Sequence, residues 1–325
     1  MSAKTNFFDS LQALTERYLT HRRYNRRLKR EKQKAKNPIV DWIEAFLWAA
    51  GVVLLVNQYL FQAYQIPSES MVHTLLIGDR IFVNKLEFGP ELVPGMAKLP
   101  SPFKPQRNQV IIFENPSYIS RGPAFDIAQR VIYMLTLSLV DIDRDENGAP
   151  KPHFLIKRAI GMGGDILKME KGEMSYLFPG ETELVTERDY LRLSGLSHPI
   201  NRLMKMEEYP VLEAAGREAA YADLGLALPT ANASGQASSM RYPDYIAHEK
   251  ARLEVRGQPT QRILGMRAFL RLSLGWYVSE GRIFPLGDNR DNSRDARYFG
   301  AVKETKVLGH ASLMYWPPKR MGFIR

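Results

Sequence analysis

Residues 45–56 are twelve apolar residues without a break, inside the stretch 42–61 (WIEAFLWAAGVVLLVNQYLF). Twenty residues at helical rise reach roughly 30 Å, one hydrocarbon thickness. Twelve alone would suit a core helix, so the flanks decide. Residues 22–36 (RRYNRRLKREKQKAK) carry nine basic residues and one acidic residue. Of the net charge of +10, about +8 therefore lies in this block, and the rest of the chain is close to neutral. Basic residues bunched before an apolar stretch set topology: they hold the N-terminal side in the cytoplasm and place the chain beyond the stretch outside. A nucleic-acid binder spreads its basic residues over a folded surface instead. Small residues two apart would mark a cleaved leader. The sequence after Val56 (NQYLFQAYQ) is bulky, which fits an uncleaved anchor. Residues 131–140 are too short to cross, and the longer stretch 124–140 includes Asp126, Gln129 and Arg130, so it reads as a buried or interfacial helix.

The absence of cysteine excludes disulfides, cysteine nucleophiles and thiolate metal sites. Beyond Gln65, residues 80–85, 109–113 and 154–157 are short β-prone runs. Glycine–aspartate turns stand at 78–79, 163–165 and 287–289. Residues 307–316 read as a strand stopped by Pro317-Pro318. Residues 170–275 are richer in charged, helix-like segments and read as an insertion into one domain. The expected divisions are a basic cytoplasmic segment 1–38, an anchor 39–63, an outer domain 64–169 and 276–325, and the insertion 170–275.

Three segments carry candidate chemistry. Ser68-Glu69-Ser70-Met71 comes soon after the anchor, so a hydroxyl there would act on something delivered at the bilayer surface. Serine needs a base to become a nucleophile at neutral pH. His73, with Asp288, Asp291 or Asp295, could complete a Ser-His-Asp set. Lys157 lies among apolar neighbours, where desolvation lowers an amine's pKa. Lys85 has similar claims, and spacing does not choose between them. The loop 287–300 (GDNRDNSRDARYFG) packs three Asp, three Arg, two Asn and one Ser between glycines. That density suits an ion-paired loop that fixes its neighbours. A hard cation could use the same oxygens, but the interleaved arginines oppose one.

Together, in this order after an anchor, these segments resemble the bacterial type I signal peptidases, membrane-anchored serine–lysine proteases. Residues 67–71 are similar to the family's nucleophile box, 78–85 to the box after it, 157–165 to its lysine box and 287–300 to its last box. The resemblance covers 64–165 and 276–300 well and 315–323 weakly. It implies a mainly β fold: a β-sheet or barrel catalytic domain with an α/β insertion, preceded by one transmembrane helix. It implies Ser70 as nucleophile, Lys157 as general base, and the Ser68 hydroxyl with the Ser70 N–H as oxyanion hole. Ser293 would orient the lysine, Asp295 and Arg297 would form a supporting ion pair, and Lys85 would be a structural surface lysine. Ile66, Pro67, Met71 and Ile156 would wall shallow pockets for small side chains, hence an Ala-x-Ala preference. No metal or cofactor is implied. The implied partners are signal-peptide-bearing preproteins, the bilayer and, as a candidate, the secretion machinery, with no nucleic acid. The implied place is the cytoplasmic membrane, with the catalytic domain outside.

Glu69, His73, Leu155 and Gly163 depart from the common family pattern. Glu69 could raise the lysine pKa. The alternatives are a serine–lysine protease dedicated to one membrane precursor and a catalytically idle anchor. Residues 231–234 (ANAS) mimic a cleavage site inside the insertion.

Overall fold

The computed structural model describes residues 2–34, 37–92, 98–101, 103–146, 148–227, 232–256 and 263–324. The chain forms two units, Met1–Val53 and Leu54–Arg325. In the first, α1 (Ser2–Lys34) carries most of the basic block as a single long helix. The apolar stretch forms α2 (Pro38–Tyr59), which opens on a proline, suited to a first helical turn. Among the described residues it is the one helix long and apolar enough to cross a membrane. It stops at Tyr59, short of the expected 63, because Phe61–Gln65 is taken up as strand β1.

In the second unit, β-branched and aromatic runs form the strands, as their pleated packing favours. The main sheet uses β1, β2 (Arg80–Asn84), β3 (Val110–Glu114) and β4 (Phe154–Met162). A smaller sheet takes β5 (Ile166–Glu170), β6 (Glu173–Leu177), β7 (Val185–Thr186) and β8 (Trp276–Tyr277). The chain then returns to the main sheet through β9 (Arg282–Leu286), β10 (Val302–Lys303), β11 (Val307–Trp316) and β12 (Gly322–Phe323). The strand order is β1-β2-β11-β3-β4-β9-β10, with β12 on β11, and all eight described strands pair antiparallel. The smaller sheet runs β7-β6-β5-β8.

The smaller sheet begins at Ile166, and its β5 pairs with β8 across the expected insertion 170–275. Between them lie α4 (Glu187–Ser194), α5 (Tyr209–Asp223), α6 (Ala233–Ser238), α7 (Tyr245–Val255) and α8 (Ile263–Leu274). Tyr209, Leu212, Ala215, Ala233 and Ala237 form their own small core. In the candidate internal cleavage site 231–234, residue 231 lies outside the described residues. Ala233 is buried at the start of α6, and the Glu218 carboxylate accepts from the Ala233 and Ser234 N–H groups. A helix start tied down in this way does not present an extended peptide.

β3 is buried on both faces. Val110 and Ile112 join one core with Tyr64, Ile66, Met71 and Leu75, while Ile111 and Phe113 join another with Ala159 and Ile283. Most of the expected stretch 124–140 is helical: α3 (Pro123–Leu135) ends before Leu137 and Ser138, both at positive φ. Its Arg130 pairs with Glu91 at 2.9 Å and lies over the Phe154 ring, which fixes α3 beside the start of β4.

Candidate active site

β1 ends at Gln65, and Pro67 follows just before a single 3-10 turn, Glu69–Met71. Met71 and Leu75 anchor that turn in the core, and the Leu75 N–H donates to the Met71 carbonyl. Ser70 is left at the surface of this anchor, 8% exposed. Opposite it, the register of β3 on β4 sets Ile112 against Ile156, Ile111 against Lys157 and Val110 against Arg158. Lys157 is 4% exposed; its Nζ lies 2.5 Å from Ser70 Oγ and 3.1 Å from the Ile156 carbonyl oxygen. Burial lowers its pKa from 10.5 to about 8, against the upward pull of Asp295 and Asp288. Ser68 Oγ lies 3.4 Å from Ser70 Oγ.

The loop 287–300 holds both groups from behind. Asn289 donates from its N–H to the Ser70 carbonyl at 3.0 Å and from its side chain to the Glu69 carbonyl at 3.1 Å. Asp288 receives the Arg158 guanidinium at 2.9 and 2.7 Å and the Thr74 hydroxyl at 2.5 Å. Both members of that ion pair are wholly buried. Asp295 receives Arg297 at 2.8 and 3.0 Å and the Gly287 N–H at 3.0 Å. It also caps α9 (Ala296–Phe299) by accepting from the Arg297 N–H. Burial pushes the Asp295 carboxyl up, but Arg297 outweighs it and holds the pKa below the ordinary carboxylate value. Gly287 has no room for a side chain: a Cβ would lie 2.2 Å from Ser293 Oγ and 2.6 Å from the Ser70 carbonyl oxygen.

Several expected roles look different in three dimensions. Ser293 is buried beside Gly287, and its hydroxyl makes no hydrogen bond to Lys157. The amine instead uses Ser70 and the Ile156 carbonyl. Lys85 is not a surface lysine. It is 2% exposed, donates to Gln62 Oε1 at 3.1 Å, and burial lowers its pKa to about 8. His73 is exposed, and each aspartate proposed for it is held by an arginine: Asp288 by Arg158, Asp291 by Arg202 and Asp295 by Arg297. Those arginines also occupy the oxygens that a cation would need. The Glu69 carboxylate faces the Asn292 side chain at 3.3 Å. The turn containing Gly163 is stiff without a proline. Asp165 accepts from the Met162 N–H at 2.6 Å and pairs with Arg107 at 2.7 Å.

Ser70 and Lys157 open on a cleft of about 310 Å³. Ile66, Pro67, Met71, Leu155 and Ile156 line it together with Ser68. Its opposite wall, absent from the sequence-based site, comes from α3 and the chain after it: Gln129, Tyr133, Ser138 and Leu139. The spacing of Gln129 and Tyr133, four apart on a helix that opens with proline, is the one signal that could have grouped them. This cleft can admit an extended chain past a hydroxyl already paired with a buried amine.

The model of the family described as signal peptidase, peptidase S26, matches residues 39–177 and 233–316. Signal peptidase I of Haemophilus influenzae is 29% identical over 88% of this chain and 73% of its own length. Signal peptidase I of Pseudomonas aeruginosa is 25% identical over 90% and 78%, and that of Helicobacter pylori 26% over 82% and 78%. The matched residues contain the serine turn, β4 and the loop 287–300, and on that ground the chain belongs to the S26 signal peptidases, a family of serine-type peptidases.

Proposed function

We propose that this enzyme removes N-terminal signal peptides from exported preproteins with a Ser70–Lys157 dyad, cutting after an Ala-x-Ala-like site. The observation that carries the reading is the 2.5 Å approach of Lys157 Nζ to Ser70 Oγ in a site where the amine is buried. In the reaction, neutral Lys157 takes the Ser70 hydroxyl proton as Ser70 Oγ bonds to the scissile carbonyl carbon. The Ser68 hydroxyl and the Ser70 N–H stabilise the oxyanion. The C–N bond then breaks, and the departing amine takes the proton from Lys157. Water, losing a proton to Lys157, attacks the acyl-enzyme; the ester C–O bond breaks, and the departing Ser70 Oγ takes that proton back from Lys157. Ile66, Pro67, Met71 and Ile156 select small side chains by excluding bulk. Ser293, Asp295 and Arg297 support the lysine side of the site.

Helix α2 is the anchor, with residues 1–38 in the cytoplasm and the catalytic domain outside the cytoplasmic membrane. The catalytic domain is 64–169 with 276–325, and 170–275 is its insertion. Anchoring confines enzyme and preprotein to one surface and raises their effective concentration.

The test is cleavage of a preprotein bearing an Ala-x-Ala site by the full-length protein in detergent. Wild type and His73→Ala should cut, whereas Ser70→Ala and Lys157→Ala should not. Activity surviving in Lys157→Ala but lost in His73→Ala would make the base a histidine and end the dyad reading.

A further inference from the structure

The residues that hold the catalytic loop from outside come from a part of the chain that the family match leaves out. The match stops at 177 and resumes at 233. Within that gap, Glu187 at the start of α4 grips Arg290 with both carboxylate oxygens, at 2.5 and 2.6 Å. Both side chains are nearly inaccessible, and His198 closes on the same carboxylate at 2.9 Å. Asn201 forms a short parallel bridge to Asn289. Its N–H donates to the Asp288 carbonyl at 2.8 Å, its carbonyl accepts from the Arg290 N–H at 3.0 Å, and its amide donates to Asn289 Oδ1 at 3.0 Å. Arg202 Nε donates to both Asp291 oxygens at 3.1 Å, and the Leu203 and Met204 N–H groups donate to Asp291 Oδ2 at 2.6 and 2.9 Å. Four consecutive loop residues, Asp288 to Asp291, thus each have a partner between Glu187 and Met204.

The loop passes this hold on to the nucleophile. Asn289, bridged to Asn201 on one side, donates to the Ser70 carbonyl on the other. Arg290, held by Glu187, donates from Nε to the Gly287 carbonyl at 3.0 Å and accepts Arg297 on its own carbonyl at 2.5 Å. Without Glu187, the buried Arg290 guanidinium would lose its paired carboxylate, a loss that strongly destabilises such a site.

We infer that the stretch 187–204 braces the catalytic loop, with Glu187 and Asn201 as positioning residues that act on Ser70 through Arg290 and Asn289. That stretch of the insertion is thereby part of the catalytic apparatus and more than an appendage to it. The inference rests on Ser70 being the nucleophile only for its kinetic readout.

The experiment uses the full-length protein in detergent and three variants: Glu187→Gln, Asn201→Ala and Glu218→Gln. Glu218 ties α5 to α6 inside the insertion and touches no loop residue. Its variant reports what loosening the insertion alone does. Each is measured for kcat and KM on an Ala-x-Ala preprotein, for Tm, and for amide hydrogen exchange over residues 287–293. Glu187→Gln should lower kcat ~100-fold, the scale of a misplaced reacting group, with KM within about twofold because the cleft walls are untouched. Exchange over 287–293 should quicken. Asn201→Ala, which deletes one half-buried amide, should show the same pattern about tenfold weaker and serves if Glu187→Gln does not fold. Glu218→Gln should keep kcat. Unchanged exchange over 287–293 in folded Glu187→Gln and Asn201→Ala overturns the brace, as does an equal kcat loss in Glu218→Gln at matched Tm. If wild type cuts no preprotein, the dyad reading fails, and exchange alone decides the brace.

Discussion

Titrating Lys157 should switch the enzyme on along a single limb. An ordinary lysine has a pKa of 10.5, and burial brings this one to about 8 while Asp295 and Asp288 pull it upward. At pH 7 the neutral, base-competent fraction is then about 10%, against ~0.03% for an unperturbed lysine. Burial thus multiplies the working base about 300-fold, equivalent to about 3 kcal/mol. The assay is kcat/KM for preprotein cleavage in detergent from pH 6 to 9.5, with substrate well below KM. The rate should climb about tenfold per pH unit from pH 6, bend near 8 and level off above about 9. Asp295→Asn removes the largest upward pull and leaves Arg297 less neutralised. Both effects disfavour the ammonium, so the bend should move to lower pH. A limb bending near 6.5 that disappears in His73→Ala would refute the reasoning. So would a rate still climbing tenfold per unit at pH 9.5.

The same geometry sets three further outcomes. Lys157→Met should be inactive yet more stable than wild type, by about 3 kcal/mol below pH 8. The folded pKa lies below the unfolded one, so folding has to strip or bury a charge below pH 8. That penalty fades as pH rises toward 10.5, and Tm of the two proteins measured at pH 6.5 and 10.5 should converge. Gly287→Ala drives a methyl group into Ser293 and the Ser70 carbonyl; kcat should fall ~100-fold with far-ultraviolet circular dichroism unchanged. Ser68→Ala should cost kcat on the order of 10²–10³ if its hydroxyl serves the oxyanion, and single-turnover acylation rates would expose a smaller effect.

Local chemistry is the legible part of the sequence. The apolar run with its basic flank marks α2, and β-prone runs closed by Gly-Asp turns mark β2, β3 and the start of β4. Pro317-Pro318 marks the end of β11, which spans the expected residues. Less legible is anything set by strand pairing far along the chain. β4 reads as four residues but runs to nine, because β3 and β9 pair with it on either side. The smaller sheet is equally hidden, because β5 finds its partner β8 more than a hundred residues later. The cleft wall on α3 is hidden for the same reason, since Gln129 and Tyr133 become cleft residues only once Arg130 pins their helix to Glu91 and Phe154. Glu187 reads as one acid among many until the fold sets Arg290 against it.

Lys85 and Lys157 show why spacing could not choose the proposed base. Both end up almost fully buried, and in both burial, against the upward pull of nearby carboxylates, brings the pKa to about 8. Desolvation therefore does not distinguish them, and a search for depressed amines would return both. The partner at each Nζ does distinguish them. Lys85 donates to Gln62 Oε1, a carbonyl-type oxygen with no proton to give and no nucleophilic role. Lys157 meets Ser70 Oγ, a hydroxyl that can surrender its proton at the mouth of a cleft. Lys85 also lies near Glu91 and is pulled upward by it, within the polar cluster that Arg130 shares. Lowering an amine's pKa makes a base available at neutral pH; setting a hydroxyl against it gives that base a proton to remove. Only at Lys157 does the fold do both, and what brings the second condition about is the loop 287–300 holding the Ser70 turn in place from behind.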